Sequence, residues 1–196
     1  YHFWGHTLQT KVKNILLEDA VDTLCIPGVK ICEFGGKFEL WSLSKILGTI
    51  GGGVLWCSNN EIANYARQIR DMRFQGTNIR WIFRFLSSRN SYFSRYWFNQ
   101  ELLGGPLPNW ALNQIGKALC HWDYFLSERK QRIYLLNKHD KNLLNNHKYR
   151  LPTAVPLKLS NDQISLLRLN GYSFNLLHYP MDNKLVLVLP LSLIHI

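Results

Sequence analysis

Acidic side chains are scarce in this 196-residue chain, where 13 Asp and Glu stand against 23 Lys and Arg and leave a formal net charge of +10. An excess of this kind can neutralise phosphates when the cations cluster. Here they are dispersed, and neither an RNP-like nor a zinc-finger pattern accompanies them, so nucleic acid is not the expected partner. The densest basic stretch, Glu128-Arg129-Lys130-Gln131-Arg132, reads as a solvated helix face. Cysteine is equally sparse. Cys25, Cys32, Cys57 and Cys120 form no C-x-x-C pair, which argues against a zinc site or a disulfide framework and leaves buried thiols in a reducing cytoplasm. No run is both long and apolar enough to span a bilayer, since the apolar stretch from Leu185 to Ile196 is short and interrupted by Pro190. No signal-peptide pattern is read at the start. The opening Tyr1-His2-Phe3-Trp4-Gly5 lacks Met and reads as the end of a strand already under way, so the chain is expected to be a piece of a longer protein.

What is present suits a folded protein. Apolar residues make up 46% and charged residues 18% of the chain, enough to build a core rather than a solvated tail. The run from Asn14 to Leu17, ending in Glu18-Asp19, predicts a parallel strand buried on both faces, with its carboxylates at the carboxyl edge. Phe38 to Leu43 and Gly53 to Cys57 predict two more strands. Ser58-Asn59-Asn60-Glu61 matches a capping box, and Ile62, Tyr65, Ile69 and Met72 recur at spacings that would turn one apolar helix face toward a sheet. Asn78 to Phe98 is rich in Arg and aromatics, and the Gly- and Pro-rich stretch from Gly104 to Pro108 breaks the chain. A long helix follows from about Asn109 to Leu136. A small αβ layer is expected after the Pro-containing link at Leu151-Pro152: a strand near Leu157 to Leu159, a helix from Asn161 to Leu169, and strands at His178 to Pro180 and Lys184 to Leu189.

The segment Trp41-Ser42-Leu43-Ser44-Lys45-Ile46-Leu47-Gly48, followed by Gly51-Gly52-Gly53, combines an amine, two hydroxyls and a glycine-rich turn downstream of a strand ending in Asp19. A lysine forms an imine only as the free amine, which calls for desolvation or nearby positive charge, and Lys45 between two apolar strands would have such surroundings. A carboxylate such as Asp19 keeps a pyridine nitrogen protonated. Hydroxyls and backbone amides hold phosphate. Together these are the parts needed to hold pyridoxal 5'-phosphate. Taken singly each has a simpler account: a solvated loop lysine, a helix cap at Asp19, a hairpin turn at the glycines.

The same residues resemble the later part of fold-type I pyridoxal-phosphate aminotransferases, in particular the DegT/StrS sugar aminotransferases. His2-Phe3-Trp4-Gly5 is similar to that family's H-x-Y-G, Leu16 to Ala20 to its E-D-A strand, and Phe38 to Gly53 to its S-F…K…G-G stretch. Ser127 to Lys130 resembles its E-R-R helix. Leu169-Asn170-Gly171-Tyr172, with His178-Tyr179-Pro180, resembles its small carboxyl-terminal domain. The resemblance implies an α/β fold: part of a three-layer large domain with a mostly parallel sheet over residues 1–75, a helical connection over 76–150, and a small αβ domain over 151–196. It implies transamination of a nucleotide-linked keto sugar with an amino-acid donor, Lys45 holding the cofactor as an imine. Asp19 would serve the ring nitrogen, Ser42 or Ser44 the phosphate, and Asp22 the flank of the ring. It further implies a cytoplasmic homodimer without a metal. Two departures stand out: Asp22 replaces the usual Gln or His, and Ala111 falls where an N-Y-R segment would place Arg.

Three other readings are open. Ser42 and Lys45 also satisfy the S-x-x-K motif of acyl-serine enzymes, but no K-T-G or S-D-N partner appears, and a strand is expected where that motif needs a helix. A protein that keeps the fold without turnover, serving an interaction role, would fit Asp22 and Ala111. Arg80, Arg84 and Arg95 fall near one helical line among aromatics, which suits an interfacial membrane helix, although Trp81 to Phe98 reads better as core or a dimer interface.

Overall fold

The computed structural model describes residues 14–72, 77–87, 106–139, 149–171, 176–178 and 185–190. His2 to Gly5, Tyr172, Tyr179-Pro180 and Arg95 lie outside them.

Strand β1 (Leu17–Asp19) pairs in parallel with β3 (Phe38–Ser42), and β3 pairs antiparallel with β4 (Gly53–Cys57), giving a sheet of order β1-β3-β4. Between β1 and β3 the chain forms β2 (Thr23–Cys25), which pairs antiparallel with β5 (Arg150–Pro152). A third sheet, of order β6-β8-β7, joins β6 (Ala154–Leu157), β7 (Leu176–His178) and β8 (Leu185–Pro190) by antiparallel pairing. The protein is therefore α/β with mixed sheets. A mostly parallel sheet is not found among the described residues, where β1–β3 is the one parallel pair. The short link between β3 and β4 helps explain this, because parallel return needs a longer crossover.

That link contains the helix α1 (Leu43–Leu47), which closes at Gly48 in the left-handed conformation, φ 70°. The strand expected to run through Leu43 thus ends at Ser42. Its inner residues Leu43, Ile46 and Leu47 join Leu24, Ile115 and Leu126 in the main apolar cluster. Burying a side chain of this size stabilises by about 1.5–3 kcal/mol, so these contacts fix the orientation of α1. The glycines beneath α1 are shaped by packing. A Cβ at Gly51 would overlap Cζ3 and Cη2 at the edge of the Trp81 ring, and Gly52 combines φ +116° with only 2.8 Å from its Cβ position to Ile115 Cδ1.

Five expectations are corrected here. Leu16 and Leu17 are 61% and 45% exposed, so β1 is not buried on both faces; among its residues Glu18 is buried instead, accepting the amides of Phe34 and Gly36. Helix α2 (Asn60–Met72) is capped by Asn59, whose Oδ1 accepts the Ile62 amide at 2.8 Å, rather than by Ser58. Its periodic face is not turned to the sheet, because Tyr65, Ile69 and Met72 are exposed while Ala63, Ala66, Arg67 and Arg70 line a 420 Å³ groove against β4. Hydrophobic periodicity alone does not reveal which face of a helix is turned to its neighbour. The expected long helix is two, α4 (Asn109–Leu119) and α5 (Trp122–His139), and the break lets Ala111, Ile115 and Leu126 all face inward.

The fifth correction is Arg129, 3% exposed rather than solvated, on the α5 face that continues Leu126 toward Ile133 and Leu136. Burial, aided by nearby Arg132, pulls its pKa down to about 10. Helix α3 (Thr77–Ser87) carries Trp81 into the core, and α6 (Asn161–Leu169) begins with a Ser160/Gln163 capping box. No helix among the described residues is long and apolar enough to cross a membrane.

Candidate functional site

The parallel β1–β3 register places Asp19 opposite Leu40, so the carboxyl ends of both strands open on one edge of the sheet. In open α/β sheets that edge is where ligands bind. The chain leaves β1 into the turn Ala20 to Asp22 and leaves β3 into α1, and these two exits meet. Lys45 Nζ lies 2.9 Å from Asp22 Oδ1, with the lysine side chain 51% exposed and the aspartate side chain 11%.

Asp22 is held from both directions along the chain. Its carbonyl accepts the Thr153 amide at 3.0 Å, at the junction of β5 and β6, and the next residue, Thr23, is paired with Pro152. Lys45 lies on the outer side of α1, opposite the buried Leu43, Ile46 and Leu47. The amine is therefore not desolvated between two strands, as its sequence neighbours suggested; an ion pair on a helix surface surrounds it instead.

Ser42 precedes α1 as its cap residue without a side-chain cap bond, and its Oγ lies 3.1 Å from Ser44 Oγ. Asp19 Oδ1 accepts the Val21 amide at 3.1 Å, a local turn bond of the kind Asp favours. The structure thus joins Asp22 to Lys45 and Ser42 to Ser44, and brings Asp19 to the same sheet edge by register. Ala111, 1% exposed, points into the core, so that position has no room for a substrate-binding Arg. S-x-x-K stays set aside, since Ser42 is the extended last residue of β3 and precedes α1 rather than lying on it, and Ser42 and Lys45 have different partners, Ser44 and Asp22.

A protein-family model described as a putative PLP-dependent aminotransferase matches residues 1–190. The chain belongs to this family. Its cofactor is accordingly pyridoxal 5'-phosphate, and its substrates are small molecules. No curated protein and no solved structure matches the chain.

Behind the edge of this PLP-family chain lies a buried network that sequence reasoning missed. Glu39, in the middle of β3, accepts Arg150 Nη1 at 2.6 Å, Arg150 Nη2 at 3.1 Å, Trp41 Nε1 at 2.7 Å and the Cys32 amide at 2.6 Å. Arg150 also donates to the Lys30 carbonyl at 2.9 Å and stands 3.6 Å from Glu33. Burial alone would raise the Glu39 pKa, but the bonds from Arg150, Trp41 and Cys32 outweigh it and hold the carboxyl below its ordinary value. For Arg150, burial works against the charge and Glu39 more than restores it. The network ties β5 to β3 and so helps to fix Thr153, which in turn braces Asp22. A charged residue in the interior of a predicted strand was the one available signal.

Proposed function

We propose that this chain performs transamination at the Lys45 edge, with Lys45 as the residue that holds the cofactor covalently. The bound cofactor supplies an electron sink that makes the proton on an amine-bearing carbon removable. Lys45 is the group to carry that proton, because its amine is exposed at the edge rather than sealed in the core. Asp19 serves a protonated ring nitrogen, Ser42 and Ser44 offer hydroxyls to the phosphate, and Asp22 flanks the ring. The donor set suits the group: an amine for an aldehyde, hydroxyls for a phosphate and carboxylates for a cationic nitrogen.

Following the resemblance to DegT/StrS enzymes, we assign a nucleotide-linked keto sugar as acceptor and an amino acid as donor, in a homodimer. The division at about residues 75 and 150 goes with this assignment, the outer parts being joined through β2–β5 and Glu39–Arg150. The observation that carries the proposal is the meeting of the β1 and β3 exits, which brings an amine and carboxylates to one open sheet edge within a family that uses pyridoxal 5'-phosphate.

The test is incubation of the full-length protein with pyridoxal 5'-phosphate, then borohydride, with the modified peptide read by mass. Modification of Lys45, and loss of both the yellow colour and the adduct in Lys45→Ala, is expected. Equal incorporation in that variant, or an adduct on another lysine, would overturn the proposal. A protein that retains the fold for interaction alone would take up no cofactor at all.

A further inference from the structure

A lysine that is to capture an aldehyde faces two requirements that oppose each other. It must be held where the aldehyde arrives, and it must react as the free amine. The Lys45 stem is long and half exposed, so without a partner its amine would sample many rotamers. Asp22 is the partner. Its carboxylate is only 11% exposed, its carbonyl is pinned by Thr153, and its Oδ1 is 2.9 Å from the lysine nitrogen. Other charges on the elements meeting here are placed differently. Glu18 accepts the Phe34 and Gly36 amides, Asp19 Oδ1 accepts the Val21 amide, Arg150 is committed to Glu39, and of the elements packed on α1, β4 carries no charged residue and α4 carries Lys117 in its last turn.

We infer that Asp22 is a positioning residue that parks the Lys45 amine at the sheet edge and must release it before the lysine can react. The inference rests on Lys45 being the reactive amine. It adds that the braced turn after β1 governs how readily that amine becomes available. Asp22 thereby acts on capture itself rather than only flanking a bound ring. Because β5 and Thr153 brace the turn, the late part of the chain takes part in setting this contact.

The size of the effect follows from exposure. A pair with one partner half solvated is worth little in water, and the corresponding change in amine availability is about two- to five-fold. The decisive measurement is acylation of cofactor-free, full-length protein with trace acetic anhydride at fixed pH, with the Lys45 and Lys37 peptides quantified separately. Asp22→Asn should raise Lys45 labelling about two- to five-fold and leave Lys37 unchanged, and Asp22→Glu should return Lys45 toward the wild-type rate. Raising the salt from about 0.05 to 1 M should speed labelling of Lys45 in the wild type and not in Asp22→Asn, because exposed ion pairs are screened. An Asp22→Asn rate equal to or below that of the wild type, with no salt dependence in either protein, would refute the role. No cofactor enters this assay. The contact can therefore fail while cofactor capture by Lys45 succeeds, and a borohydride adduct can fail to form while the contact is upheld.

Discussion

Replacing Arg150 with Ala is the most informative perturbation of the fold. It removes two of the four hydrogen bonds that Glu39 accepts, both of them charge-assisted, and leaves a fully buried carboxylate with only Trp41 Nε1 and the Cys32 amide. Breaking a buried ion pair by deleting one partner costs about 3–5 kcal/mol, because the remaining charge stays out of water. Against a typical total of about 5–15 kcal/mol, that loss takes from about a fifth of the stability to nearly all of it. Urea unfolding of the full-length protein, followed by tryptophan fluorescence, measures it directly. The double variant Glu39→Met/Arg150→Met supplies the internal control. With both charges gone the desolvation cost also disappears, so it should be more stable than Arg150→Ala, while the Trp41 Nε1 and Cys32 amide donors that lose Glu39 hold it below the wild type. A cost below about 1 kcal/mol for Arg150→Ala would refute the reasoning, as would a double variant at the sum of the losses of Glu39→Met and Arg150→Met measured singly, since either would mean that the two groups do not depend on one another.

The same pair makes the fold acid-sensitive: the folded Glu39 pKa lies below its ordinary 4.5, so its contribution is present above that pH and is lost as pH falls through the folded value, and urea midpoints should drop there less in Arg150→Met than in the wild type. Cys25, whose thiol burial pushes up to about 12 against the opposing effect of Arg150, should resist iodoacetamide at pH 8 until the protein is unfolded, whereas exposed Cys120 should be modified in the native state; early labelling of Cys25 would show that the β2 environment is open. Gly51→Ala should destabilise by about 1–3 kcal/mol by thermal or urea melting, because its methyl would overlap the edge of the Trp81 ring, and an unchanged melt would contradict that packing. Arg129→Met should be neutral or stabilising, since burial disfavours its charge, and a loss above about 2 kcal/mol in the same assay would show that the guanidinium is needed.

Local pattern determined much of this protein by itself. Val, Leu and Trp content was enough to mark β4 over Gly53–Cys57, and the helix expected over Asn161 to Leu169 is α6. The grouping of Lys45, two serines and three glycines after a strand pointed to a cofactor that the family match supports. All of these are encoded within a few residues of chain, where covalent geometry and solvent preference act directly. Tertiary structure decided the rest. Whether α2 turns its large apolar residues or its alanines toward β4 depends on how closely the strand can be approached, and that is a property of the pair. Glu39 and Arg150 are separated by most of the described chain, and each alone looks like a surface charge; only β2–β5 pairing makes them neighbours and turns two desolvation costs into a stable bond. The surroundings of Lys45 were settled in the same way. Its own sequence neighbours are apolar, but α1 buries them beneath itself and leaves the amine facing a carboxylate that a different turn delivers.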